Sequence, residues 1–147
     1  MVQPVLSFPS DDALILAIRG HRTDNHQLCQ LASELGQLHW RLATDPPDTE
    51  TSLERTELML KIDVWVAVRL PVPHRTATLH TETIGSIIDR FAQAVTHAYH
   101  LLMTLDPTDE RVHAAWYRVA ELADGYTDLT TEVIRRARRL PAPGDRS

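Results

Sequence analysis

Apolar residues recur along this chain at three- and four-residue steps, separated by short polar breaks. Ile84, Ile87, Ile88, Phe91, Val95, Ala98, Leu102 and Leu105 form one continuous stripe, the mark of a helix with one buried face. Leu28, Leu31, Leu35, Leu38 and Leu42 repeat the pattern, as do Val112, Ala115, Val119, Leu122, Val133 and Ala137. A further segment is apolar almost all round: Met59, Leu60, Ile62, Val64, Trp65, Val66, Ala67 and Val68. Punctuation sets the expected ends. Ser10 before Asp11 and Asp12 starts a short helix that stops at Gly20. A polar link over 21–25 leads to a second helix through about Ala43, broken by Asp45-Pro46-Pro47-Asp48. Thr51-Ser52-Leu53-Glu54 fits a capping box for a third helix toward Leu70, ended by Pro71 and Pro73. The fourth spans about 79–105, and Asp106-Pro107 supplies a cap and first-turn proline for a fifth reaching Leu140. The pattern predicts an all-α fold. Four long helices would form an antiparallel bundle with a short N-terminal helix at one end, one domain over 1–140 and a flexible tail over 141–147.

Composition narrows the function classes. Five glycines and two phenylalanines suit helix rather than sheet. The lone Cys29 excludes an internal disulfide and a cysteine-rich zinc site, and reads as a packing residue in a reducing compartment. A net charge of −5 argues against general nucleic-acid binding. The start of the chain has no basic, apolar signal pattern, and no run approaches the ~18 apolar residues of a membrane span, so a cytoplasmic location is expected. Fourteen arginines against the single Lys61 resemble the usage of GC-rich bacterial genomes. Arg135, Arg136, Arg138 and Arg139 suit the negative end of the last helix.

The polar residues that break the stripes carry the candidate chemistry. Glu82, Ser86, Asp89, Gln93, His97 and His100 make a polar row on the fourth helix that reads as a solvated face. His39 falls inside the leucine arc of the second helix, Asp63 in the apolar arc of the third, Tyr126 in the stripe of the fifth. His80 projects to the same side as Ile84 and Phe91. Burying such groups unpaired costs several kcal/mol, so they are expected to find one another. The segment from Leu79 to Arg90 stands out because it places His80, Thr81, Glu82 and Thr83 at the opening turn of a helix, where unpaired N–H groups attract anions. A bland reading accompanies each: a hydrogen-bonded core histidine, a capping threonine, a first-turn acid. Metal spacing is incomplete. A di-iron bundle needs Glu-x-x-His on two helices plus two further glutamates, and Glu54 with Glu57, His97 with His100 and His80 with Glu82 do not complete that set. No metal and no cofactor is predicted.

The strings Leu38-His39-Trp40-Arg41-Leu42, Ile62-Asp63-Val64-Trp65-Val66, Leu79-His80-Thr81-Glu82-Thr83-Ile84-Gly85 through Asp89-Arg90, and Glu121-Leu122-Ala123-Asp124-Gly125-Tyr126 together resemble an uncharacterised bacterial family defined as a domain of unknown function. The resemblance covers about 14–140 and implies a helical, cytoplasmic protein without an assigned activity. Two classes of function follow. The first is a small-molecule or acid–base site with His39, Asp63, His80 and Glu82 as catalytic residues, and Tyr126, Thr81 and Thr83 holding the ligand. The second is a non-catalytic accessory bundle whose buried polar groups set helix register. The third helix has more apolar surface than one face can bury, so a homodimer is expected in either case.

Overall fold

The computed structural model describes residues 5–21, 25–46 and 48–144. Most of the expected link over 21–25, and the end of the expected tail at 145–147, fall outside the described residues. The chain is mostly helical: α1 (Asp11–Ile18), α2 (Gln27–Thr44), α3 (Thr49–Ala67), α4 (Ile84–Thr104) and α5 (Glu110–Ile134). No helix among the described residues is long and apolar enough to cross a membrane.

The cap positions follow from side-chain chemistry. Ser10 Oγ accepts the Ala13 N–H, as the Ser-Asp-Asp string implies. The third helix starts earlier than the Thr51 box suggests, because Asp48 accepts the Thr51 N–H at 2.7 Å and caps the helix at Thr49. The fifth starts later than Asp106-Pro107 suggests. Asp106 closes a turn onto Thr108, and Asp109 is the cap.

Both ends of the connection between α4 and α5's tail correct the sequence reading. The fourth helix begins at Ile84 and not Leu79, capped by Thr83, whose hydroxyl accepts the Ser86 N–H at 3.1 Å. The fifth ends at Ile134 and not Leu140. Arg136 adopts a left-handed φ of 66° and the Ala137 N–H closes onto Glu132 O, the terminus that Gly20 forms for α1 with φ 88°. The residues freed from both helices pair with each other. A two-residue strand β1 (Thr78–Leu79) lies parallel to β2 (Arg138–Arg139), a small piece of sheet that the helical pattern does not announce.

One helix organises the rest. α4 packs against α1, α2, α3 and α5, whereas α2 and α5 make no close approach. The eight-residue α1 lies between them, touching both. It is too short to fill the whole trough, so beyond its end the groove between α2 and α5 stays open over α4. The core is mostly aliphatic, with Leu28, Leu35, Leu38, Ile62, Ile88 and Val95 at 2% exposure or less around the ring of Phe91. α3 closes on α4 at Gly85, where an added methyl would overlap Met59 O and the Asp63 carboxylate.

Candidate functional site

A buried ion cluster sits where α2, α3 and α4 meet. Asp89 of α4, expected on a solvated face, is only 3% exposed. Position 89 lies in a row of small and polar residues, Gly85, Asp89, Ala92 and Thr96, one step round the helix from the Ile/Phe stripe, and all four are buried. Asp89 Oδ1 accepts a hydrogen bond from His39 Nε2 at 2.8 Å. Arg55 of α3 holds both carboxylate oxygens, with Nε at 3.0 and 3.1 Å and Nη2 at 2.7 Å. Burial pushes the Asp89 carboxyl up, but the hydrogen bonds and charges of His39 and Arg55 outweigh it and hold the group below its ordinary 3.8. The same hydrogen bond raises Arg55, so both ions stay charged.

This carboxylate fixes the imidazole. An ionised Asp is acceptor-only, so the His39 Nε2 carries the proton that Asp89 receives. In the neutral ring Nδ1 is then the lone-pair nitrogen. Among the described residues it makes no hydrogen bond, and no buried side-chain nitrogen or oxygen lacks a partner, so Nδ1 keeps some exposure. His39 also lines a cleft, the open part of the trough between α2 and α5. The cleft holds about 510 Å³ and is lined by Arg55, Arg90, His97, His100 and Arg118 beside apolar walls, with no acidic lining residue. Arg118 makes no ion pair among the described residues. On the other side of the Arg55 arm a second cleft of about 620 Å³ is lined by Asp89, Ser86 and Thr56. The arrangement can bind an anion and accept a proton from it or from a neighbouring water.

The other sequence candidates have separate partners, which corrects the expectation of one cluster. Asp63 Oδ1 accepts the Gly85 N–H at 2.7 Å and its Oδ2 the Gly144 N–H at 3.2 Å. A carboxylate does occupy the N-terminus of α4, but it is the protein's own. His80, Thr81 and Glu82 lie before the helix and not in its first turn. Glu82 accepts from Ser86 Oγ at 3.0 Å and from Arg90 at 2.6 Å, at the rim of the second cleft. His80 is half-buried beside β2, its backbone N–H on Arg139 O. Burial, then the Arg138 charge, hold its imidazole below the ordinary range against the opposing pull of Glu82 and Glu132. Thr81 is exposed and Thr83 is the α4 cap. Tyr126 is 1% exposed, its hydroxyl donating to Pro9 O at 2.7 Å. Burial raises its phenol far above the ordinary value, so it acts as a pin between α5 and the segment before α1. Of the sequence candidates only His39 belongs to the buried triad; Asp89 and Arg55 were missed.

Among the described residues no three His, Cys, Asp or Glu side chains gather closely enough to hold a metal ion. The chain carries one Glu-x-x-His pair, Glu110 and His113, and both are exposed at the start of α5.

No curated protein and no solved structure matches the chain. A family model does match, over residues 49–142, a stretch that contains Arg55 and Asp89 but stops short of His39. Its description is protein of unknown function (DUF4254), and the chain belongs to that family.

Proposed function

We propose that the protein binds a small anionic molecule in the cleft beside His39 and uses His39 Nδ1 as a proton acceptor. The observation that carries this reading is the histidine itself: a buried imidazole anchored by a buried carboxylate on the wall of a cleft. Cations line that cleft although the chain's net charge is −5. Asp89 orients the ring and stabilises it once protonated, and Arg55 keeps Asp89 ionised. Arg118, His97 and His100 supply the donors that attract the anion. The test is titration of inorganic phosphate and citrate into the protein, read by imidazole ring resonances. The reading expects saturable shifts at His39 together with His97 or His100, lost in Asp89→Asn and weakened in Arg118→Gln. Shifts that are linear in concentration, or unchanged in both variants, refute it.

The same reading gives the four long helices an alternating up-and-down course, with α1 wedged between α2 and α5, and the molecule a second copy. One observation favours a homodimer through α3. Ile62 and Val66 face the core, while Leu53, Leu60, Val64 and Val68 on the opposite side remain 65%, 44%, 47% and 57% exposed. Glu57 and Lys61 lie on the same face, 3.8 Å apart. An antiparallel two-fold pairing of α3 with itself puts each of these charges near its opposite on the second copy while covering the aliphatic stripe. A monomer mass at tens of micromolar protein would exclude it.

A further inference from the structure

A cavity larger than the His39 cleft lies elsewhere among the described residues. It opens where α1 ends, between the C-terminal turn of α1, α2 and α4, and holds about 820 Å³. That volume is typical of sites for small molecules and cofactors. Thr96 lines both spaces, and the edge-on contact of Trp40 with His100 at 5.9 Å stands between them. Three features of the cavity wall point to a ligand class.

The first is a guanidinium held flat. Arg19 Cζ lies 3.9 Å above the centre of the Tyr99 ring, and Tyr99 is itself held edge-on by Trp116 at 4.7 Å. Arg19 forms no ion pair among the described residues, so its planar fork of donors is oriented but unused. The acidic lining residue, Glu54, is already bonded to Arg41 at 2.9 Å. The second feature is Trp40, whose indole is a cavity wall and remains 40% exposed. The third is Gln37, a side-chain amide on the same wall that makes no hydrogen bond among the described residues and can both donate and accept.

We propose that this cavity binds a planar aromatic molecule bearing a carboxylate or phosphate. Its ring stacks on Trp40, its oxyanion takes the Arg19 fork, and Gln37 reads the ring edge. A charge-assisted bidentate contact and an aromatic stack are complementary, so neither half of the ligand binds well alone.

The test uses three acids, indole-3-acetate, 4-hydroxybenzoate and adenosine 5′-phosphate, each beside its neutral counterpart, indole-3-acetamide, 4-hydroxybenzamide and adenosine. Calorimetry and tryptophan fluorescence give the affinities. At least one acid should bind saturably and at least about tenfold more tightly than its neutral partner, the worth of one charged hydrogen-bonded contact. Arg19→Gln should erase that preference with only a small change in melting temperature, because Arg19 is exposed and loses just its stack on Tyr99. Trp40→Ala should weaken both members of the pair. Asp89→Asn should leave the preference intact, because Asp89 lies outside this cavity. Saturable binding by none of the six, equal binding of acid and neutral partner, a preference that survives Arg19→Gln, or one that disappears in Asp89→Asn would each overturn the proposal. The last result would place the acid in the His39 cleft instead.

Discussion

Asp89→Asn is the perturbation whose cost the structure defines best. The carboxylate receives His39 Nε2 on one oxygen and a two-armed grip from Arg55 on both. Asparagine keeps the shape but offers one acceptor oxygen, and its amide N–H groups then face donors. About two charge-assisted hydrogen bonds are lost, each contributing roughly 1.5–3 kcal/mol. Two effects reduce the sum. The carboxylate's own desolvation cost disappears, and the Arg55 side chain, 39% exposed, can swing its charge into water. A net loss of about 2–4 kcal/mol remains, near the lower end for breaking a buried pair. For a chain of this size that corresponds to a fall in Tm of roughly 5–15 °C. Urea unfolding at neutral pH measures the loss directly, provided the m value is unchanged. The pH dependence supplies the sign check. Asp89 is held below its ordinary 3.8 in the folded state, so its contribution is complete above that value and disappears as pH falls through the lower folded value. The gap between wild type and Asp89→Asn should therefore be full at pH 7 and narrow as the pH falls below 3.8 toward the lower folded value. A loss under about 1 kcal/mol at pH 7, or a gap that widens on acidification, would refute the ion-cluster reasoning.

Other consequences are simpler to state. Gly85→Ala drives a methyl into Met59 O and the Asp63 carboxylate and should cost about 1–3 kcal/mol or more, with a lower urea midpoint as the readout. Asp63→Asn should destabilise by about 1 kcal/mol through loss of charge at the α4 N-terminus, yet leave phosphate-induced shifts at His39 unchanged; loss of those shifts would restore Asp63 to the site. Leu60→Glu on the outer face of α3 should leave the helical circular dichroism intact while halving the mass seen by light scattering.

Where the sequence was informative, a residue type carried the signal. Ser10 and Gly20 bound α1 because a hydroxyl cap and a glycine in a left-handed turn are readable from identity alone. The end of α5 has the same geometry with an arginine in it. A left-handed arginine costs about 1 kcal/mol or more, and here distant contacts hold it: the Arg136 side chain donates to Val72 O and its carbonyl accepts the His74 N–H. Nothing local announces those partners. The start of α4 was misplaced for a similar reason, since extended pairing with Arg138 and Arg139 draws Thr78 and Leu79 out of the helix. The site was half legible. His39 betrayed itself by standing among leucines, whereas Asp89 belonged to a polar row that continues outward through Gln93 and His97. Its burial depends on the approach of α2 and α3. Arg55 carries a faint signal, extending the buried row of Met59, Ile62 and Val66 by one turn.

The central claim is that Asp89 fixes His39 with its proton on Nε2 and leaves Nδ1 to the cleft. Long-range ¹H–¹⁵N correlation of the imidazole rings, assigned with a His39→Gln variant, tests it most directly. The account predicts the His39 tautomer with its proton on Nε2 and its lone pair on Nδ1, whose nitrogen resonance moves saturably as phosphate is added. A ring protonated on Nδ1, or an Nδ1 resonance indifferent to anions, would contradict it.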